Sequence, residues 1–284
     1  MHKRHISSTA IAAALSFILM VTVYFGQKYS NIQTVKNGAI LSFVAQTGGQ
    51  PSENQVEVVP PKPLIYLDYI EIINSCGPYF EGSCVNLRSG AGQNFSSVLT
   101  LRDGVVLRTS GKVESDGKIW YKVIFDEFVR YPERLTQPLY VSADYVKTFS
   151  VPKELVLAST TKHIVIDRSE QNLYAYDGAV LFMKIKVSTG LIDTPTPRGN
   201  FTILSKTPSR YMQGPLPGVS SQVYDLPGVP FTMYFTVDGG AIHGAYWHDK
   251  FGQVWSHGCV NLRLKEAETL YSWTPLGTKV VVRD

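Results

Sequence analysis

The stretch Val254-Trp255-Ser256-His257-Gly258-Cys259-Val260-Asn261-Leu262-Arg263-Leu264 contains the pentapeptide CVNLR, which occurs a second time as Cys84-Val85-Asn86-Leu87-Arg88 in EGSCVNLRSG. Which of the two cysteines is reactive decides how the chain is divided. Cys84 has a partner close by in Cys76, within CGPYFEGSC, where Gly77-Pro78 and Glu81-Gly82 form turns that bring the two ends together. In an oxidising compartment these two form a disulfide, and closing so short a loop stabilises by about 2.6 kcal/mol on the chain-entropy reading. Of the chain's three cysteines, Cys259 is then left unpaired. An unpaired thiol in an exported protein is liable to mispair unless it is buried or used as a nucleophile.

Export itself is read from the N-terminus. The basic cluster His2-Lys3-Arg4-His5 is followed by an uncharged run from Ile6 to Phe25, and about 20 residues at roughly 1.5 Å each match the thickness of a bilayer core. The run passes into Tyr24-Phe25-Gly26-Gln27-Lys28 without a small-residue cleavage site, so residues 1–27 are expected to be a cytoplasmic stub and an uncleaved transmembrane anchor. Lys3 and Arg4 orient it with the rest of the chain outside. Residues 28–63, ending in the polar, proline-rich QTGGQPSENQVEVVPPKP, read as a linker. The expected location is therefore the cell membrane, single-pass, with the functional part in the periplasm or wall. A net charge of only +4, with no long Lys/Arg run beyond the N-terminus, leaves no nucleic-acid footprint.

From Leu64 to Ser150 short apolar runs (Leu64–Ile73, Val98–Leu101, Val105–Leu107, Ile119–Phe125, Leu139–Val146) alternate with the turn signals Ser89-Gly90, Asp103-Gly104 and Asp116-Gly117. This spacing predicts a small β-barrel over 64–150. Asn86-Leu87-Arg88-Ser89-Gly90, Leu101-Arg102-Asp103-Gly104, Trp120-Tyr121-Lys122-Val123 and Tyr140–Val146 resemble bacterial Src-homology-3-like (SH3-like) domains. That resemblance implies wall or peptide binding; a spacer that positions its neighbour is the plainer role. The segment Asp126–Gln137 is longer than the corresponding loop of that family.

Around Cys259 the residues argue for chemistry. Gly258 permits a tight turn and close substrate approach, so that two successive N–H groups can face a developing oxyanion. Upstream, the apolar run Phe231–Val237 leads through Gly239-Gly240 to Ala241-Ile242-His243-Gly244, which places His243 at a strand end. A thiol is mostly protonated at neutral pH, so an imidazole that accepts its proton makes attack fast, and His243 is the candidate base. Zinc held by His243, His248, His257 and Cys259 is a competing reading, but no Glu lies between Gly239 and Arg263 to act as general base. No metal or cofactor is expected.

These residues resemble the catalytic domain of L,D-transpeptidases (YkuD-like), whose signature is a histidine followed at this kind of spacing by Ser/Thr-His-Gly-Cys, a hydrophobic residue, then Asn or Arg. The resemblance extends from His163–Asp167 through Gln171–Tyr176, Val187-Ser188-Thr189-Gly190, Thr194–Gly199 and Met233-Tyr234-Phe235 to Gly277–Val280. It implies a domain over 160–284 in which Cys259 takes an acyl group and His243 is base and acid, with His257 and Gly258 completing the catalytic turn. The Gly244 carbonyl would orient the imidazole, since position 244 has no hydroxyl. Ser256, Asn261, Arg263, Tyr246, Trp247 and Gly244 are the expected substrate-side residues, with shape-holding the alternative for Ser256 and His257. The proline-rich region 191–230 reads as irregular, a candidate flap. Leu264, Ala267, Leu270 and Tyr271 predict a short helix after the nucleophile.

The expected protein is mainly β: anchor, SH3-like barrel, then a β-rich catalytic domain. The resemblance implies attack on peptidoglycan stem peptides through a cysteine thioester and transfer to an amine. Water as acceptor would make it an L,D-carboxypeptidase, and loss of chemistry a wall-binding anchor.

Overall fold

The computed structural model describes residues 65–135, 138–153, 160–217 and 221–284. The anchor expected over 1–27 and the linker over 28–63 lie outside the described residues. Among those described, no helix is long and apolar enough to cross a membrane. Leu64–Asp284 pack as one compact unit, mainly of strands.

The first sheet is built from β1 (Tyr66–Ile72), β2 (Val85–Arg88), β3 (Ser97–Leu101), β4 (Val106–Ser115), β5 (Lys118–Ile124), β6 (Leu139–Ser142) and β7 (Val146–Pro152), in the order β3-β2-β6-β5-β4-β1-β7. The apolar runs of the sequence fall on these strands. The first CVNLR supplies β2, whose Val85 and Leu87 are buried while Asn86 and Arg88 are less so, the alternation of a half-buried strand. Cys76 and Cys84 are bridged just ahead of it. Ser75 completes this corner: its hydroxyl donates to the Leu101 carbonyl at 2.7 Å and accepts the Val85 N–H at 2.9 Å.

Two further sheets carry the second half. β8 (Lys162–Asp167), β9 (Asn172–Asp177), β10 (Val180–Lys186), β11 (Gly199–Thr202) and β16 (Lys279–Arg283) form one, in the order β10-β9-β8-β16-β11. β12 (Ser205–Gln213), β13 (Asp225–Tyr234), β14 (Ala241–Gly244) and β15 (Val260–Leu262) form the other, in chain order. The predicted helix is α1 (Leu264–Trp273), which turns Ala267, Leu270 and Tyr271 inward. Region 191–230 is more regular than its prolines suggest. Ser205–Gln213 and Asp225–Tyr234 pair as an antiparallel ribbon with a register shift between Arg210 and Met212, and Pro230 sits opposite Ser209 within it. An irregular ladder leaves room for residues without an N–H to give.

The cores interlock. Tyr69, Val106 and Phe149 of the first sheet pack with Phe231, Met233 and Tyr271 of the second half, while Val229, Tyr246 and Leu264 of the second half pack with Ile70, Leu107 and Val141. Gly228 (φ 63°) marks the closest approach: a Cβ there would lie 2.3 Å from the Val106 carbonyl oxygen, so only glycine fits. Mass mapping without reductant should find Cys76 and Cys84 in one linked peptide and Cys259 as the single alkylatable thiol. Cys84→Ser should lower the unfolding free energy by about 2–3 kcal/mol in denaturant melts.

Candidate active site

β14 and β15 are parallel neighbours, with Ile242 opposite Val260, His243 opposite Asn261 and Gly244 opposite Leu262. Both strands are buried throughout. Parallel strands cannot be joined by a hairpin and need a crossover of about a dozen residues or more; residues 245–259 provide it, and Cys259 is its last residue before β15. The segment Val187–Leu191 pins both ends of the cysteine turn. Ser188 and Asn261 exchange backbone hydrogen bonds of 3.0 and 2.8 Å, the Leu191 N–H donates to Ser256 O at 2.8 Å, and the Ser256 N–H donates to Thr189 O at 3.0 Å.

The turn also holds itself. Ser256 Oγ accepts the Gly258 N–H at 3.2 Å and donates to the Cys259 carbonyl, so the buried Ser256 hydroxyl shapes the turn. Gly258 has φ 111°, a conformation that side-chain-bearing residues resist. With the Gly258 N–H engaged, the Cys259 N–H is the one of the expected pair that has no acceptor among the described residues, and it is the donor available to an oxyanion.

His243 is a polar group in an otherwise apolar strand. Burial pushes its imidazole down to about 4, with the Gly244 carbonyl pulling upward and His248 adding to the fall. Nδ1 lies 3.0 Å from the Gly244 oxygen, which can only accept. In the neutral ring Nδ1 therefore carries the proton and Nε2 presents a lone pair. The backbone orients the imidazole because no side chain fits at Gly244, where a Cβ would lie 2.9 Å from Pro230 Cγ. Burial also pushes the Cys259 thiol up to about 11, against the pull of the Ala241 N–H. The resting pair is thus a thiol and a neutral imidazole.

A second histidine sets Asn261. His248 Nδ1 accepts the Lys250 N–H at 3.1 Å, so its proton is on Nε2, which faces the Asn261 amide at 2.9 Å. The group opposite an Nε2–H must accept. With the amide nitrogen placed there, Asn261 Oδ1 is buried without a partner; turned over, Oδ1 accepts from His248 and the NH₂ group is released.

Two cavities meet at the thiol. One, of about 330 Å³, is lined by His243, Trp247, Trp255, Leu226, Asn261 and Cys259. The other, of about 540 Å³, opens between Phe128, Arg130, Asp193, Tyr234, Gly258 and Cys259. Met212, Tyr224 and His257 border both, and the Tyr224 and His257 rings stack at 5.9 Å. Trp247 lies beside His243 at 5.7 Å between rings. Tyr246 and Arg263 line neither cavity. Tyr246 is a core residue whose hydroxyl donates to Pro227 O at 2.7 Å, and Arg263 pairs with Glu266 outside the cleft. Tyr224, Trp255 and Met212 carry no signal of their own in the sequence; Tyr224 and Met212 lie in the region read as a flap. Among the described residues, no three of His, Cys, Asp and Glu converge as a metal-ligand set.

These assignments set the pH behaviour. Because its folded value lies below the unfolded one of about 6.5, His243 destabilises the fold progressively as pH falls through the window from about 6.5 to 4, where the unfolded chain binds a proton the folded chain does not. Denaturant melts should show this loss, reduced in His243→Gln. Iodoacetamide alkylation of Cys259 should keep rising with pH towards about 11; a plateau near neutrality would reveal a resting thiolate–imidazolium pair instead.

Residues 161–282 match the L,D-transpeptidase catalytic domain (YkuD) family. The chain is 29% identical over 195 residues to the probable L,D-transpeptidase YbiS of Escherichia coli K12, covering 55% of this chain and 63% of that protein. It is 33% identical over 103 residues to the probable L,D-transpeptidase 3 of Mycobacterium tuberculosis, covering 34% and 37%. The chain thus spans less than two thirds of the length of these curated relatives. Among solved structures, an L,D-transpeptidase from Mycobacterium smegmatis aligns with a TM-score of 0.42 and 20% identity, over 59% of this chain and 91% of that one. The segment that matches the L,D-transpeptidase catalytic-domain family, 161–282, contains both His243 and the turn Ser256–Asn261.

Proposed function

We propose that the protein is a peptidoglycan L,D-transpeptidase working by a cysteine thioester. The observation that carries this reading is the meeting of two cavities at Cys259, with the buried His243 presenting Nε2 to one of them. Cys259 Sγ attacks the carbonyl carbon of the L-centre in the stem peptide as its proton passes to His243 Nε2. The oxyanion is held by the Cys259 N–H. Collapse breaks the amide, and the departing amine of the terminal D-residue takes the proton from His243, leaving a thioester. An acceptor amine then attacks that carbonyl, gives a proton to Nε2 and releases Cys259, which recovers its proton from His243. Asn261 lines the smaller cavity and is the substrate-side residue proposed there.

A second cavity of about 540 Å³ that also reaches the thiol supports an amine-bearing peptide as acceptor rather than water alone. The chain works outside the membrane, held by the anchor over 6–25. The first sheet is an SH3-like module. Its interlocked core and its contacts beside the site support a positioning role, with wall binding as the further role its resemblance implies.

Incubation with a tetrapeptide stem should produce an acyl-enzyme by mass spectrometry, resolved to a cross-linked product by an amine and to a free acid by water. A carbapenem should add one adduct at Cys259, absent in Cys259→Ser. His243→Ala should slow acylation by about 10²–10⁴, far more than His248→Ala or His163→Ala. Normal acylation in His243→Ala and none in His257→Ala would reverse the roles of the two histidines.

A further inference from the structure

The long loop after β5 leaves the first sheet and lies along the β12–β13 ribbon. Glu127 accepts hydrogen bonds from Arg210 Nη1 at 2.7 Å and from the Tyr211 N–H at 2.8 Å. The Tyr131 N–H donates to Gln213 Oε1 and its hydroxyl to Pro215 O, both at 2.9 Å. Arg134 donates to Gly214 O at 3.0 Å and lies over the Tyr131 ring. Phe125 and Tyr211 pack their rings 5.0 Å apart.

The loop is therefore tied down on both sides of residues 128–130, and this middle part is carried to the larger cavity. Phe128 and Arg130 line that cavity together with His257 and Cys259. Arg210, the other cation that lines it, is paired with Glu127. Arg130 is exposed and has no ion-pair partner among the described residues. Tyr224 lines the same cavity as Arg130 and Cys259. Asp193 and Asp238 line the same cavity but neither is paired with Arg130, and a permanent cation with a planar fork of free donors is suited to a carboxylate.

We infer that Arg130 binds a carboxylate of the stem peptide entering the larger cavity, which makes the first sheet's loop part of the substrate site. This rests on the transpeptidase reading for the identity of the peptide. A tetrapeptide stem offers two sources, its C-terminal carboxylate and a side-chain carboxylate, and either presents the same chemistry.

Binding of three tetrapeptide stems is measured calorimetrically on the full chain carrying Cys259→Ala, so that turnover plays no part: the free acid, the C-terminal amide and the side-chain amide. Arg130→Ala should weaken the free acid roughly tenfold, the low end for a charged hydrogen bond because the cavity is open to water. Arg130→Lys should recover part of the loss. Whichever amide removes the paired carboxylate should bind equally to the chain that keeps Arg130 and to the Arg130→Ala variant, which identifies the source. Equal affinities of both chains for all three stems, or an equal loss for all three, would overturn the inference, as would binding of none. Acylation by the free-acid stem is followed separately on the chain with Cys259 intact. Its absence would remove the transpeptidase reading while leaving the Arg130 comparison readable.

Discussion

The parallel pairing of Ala241–Gly244 with Val260–Leu262 is the constraint on which the site depends. A parallel pair puts His243 and Asn261 abreast and requires a long crossover that comes back into register one residue after Cys259. His243 and the end of the Cys259 turn are thereby set by backbone hydrogen bonds within a fully buried pair of strands, where a shift of one residue would turn His243 to the opposite face. Rigid strands position such groups more accurately than loops do. The cost is a buried imidazole, met by keeping it neutral and giving its one proton to the Gly244 carbonyl.

The crossover is the part of this arrangement least able to hold itself, and the first sheet supports it. Tyr79, within the loop closed by Cys76 and Cys84, donates to Asp249 at 2.6 Å. Tyr246 enters the core of the first sheet, and the Arg102 guanidinium lies 5.9 Å from its ring centre. On the other side of the cleft the loop after β5 holds the β12–β13 ribbon. Both walls of the site thus lean on the N-terminal sheet, one through a disulfide loop and the other through the loop after β5.

Local signals in the sequence are legible and distant pairings are not. The two CVNLR copies separate on their flanks: Ser-His-Gly before Cys259 marks a turn that needs glycine, and Cys76 close to Cys84 marks a loop to be closed. His243 stands out because glycines follow an apolar run and end it. Tyr246 is misplaced by sequence for a physical reason: beside Trp247 it reads as a wall of the cleft, yet its ring is drawn into a core formed largely by residues more than a hundred positions earlier. Arg130 is the same case in reverse. Nothing near it in sequence is catalytic, and only the docking of its loop on Arg210–Pro215 brings it to Cys259. The His248–Asn261 pair is hidden because an amide's orientation depends on which ring nitrogen its partner protonates, and this is set by the Lys250 N–H.

The neutral state of the thiol and imidazole has a chemical consequence. With its pKa pushed up to about 11, Cys259 is mostly a thiol at pH 7. A scarce thiolate slows oxidation and disulfide exchange, because both proceed through it. The scarcity does not prevent attack. Intrinsic nucleophilicity rises with thiol basicity, and in the proposed reaction a carbonyl brought to the thiol lets the proton move to His243 Nε2 as the carbon–sulfur bond forms. On the proposed mechanism the thiol keeps its proton until a carbonyl is in place, which a permanent ion pair would not do.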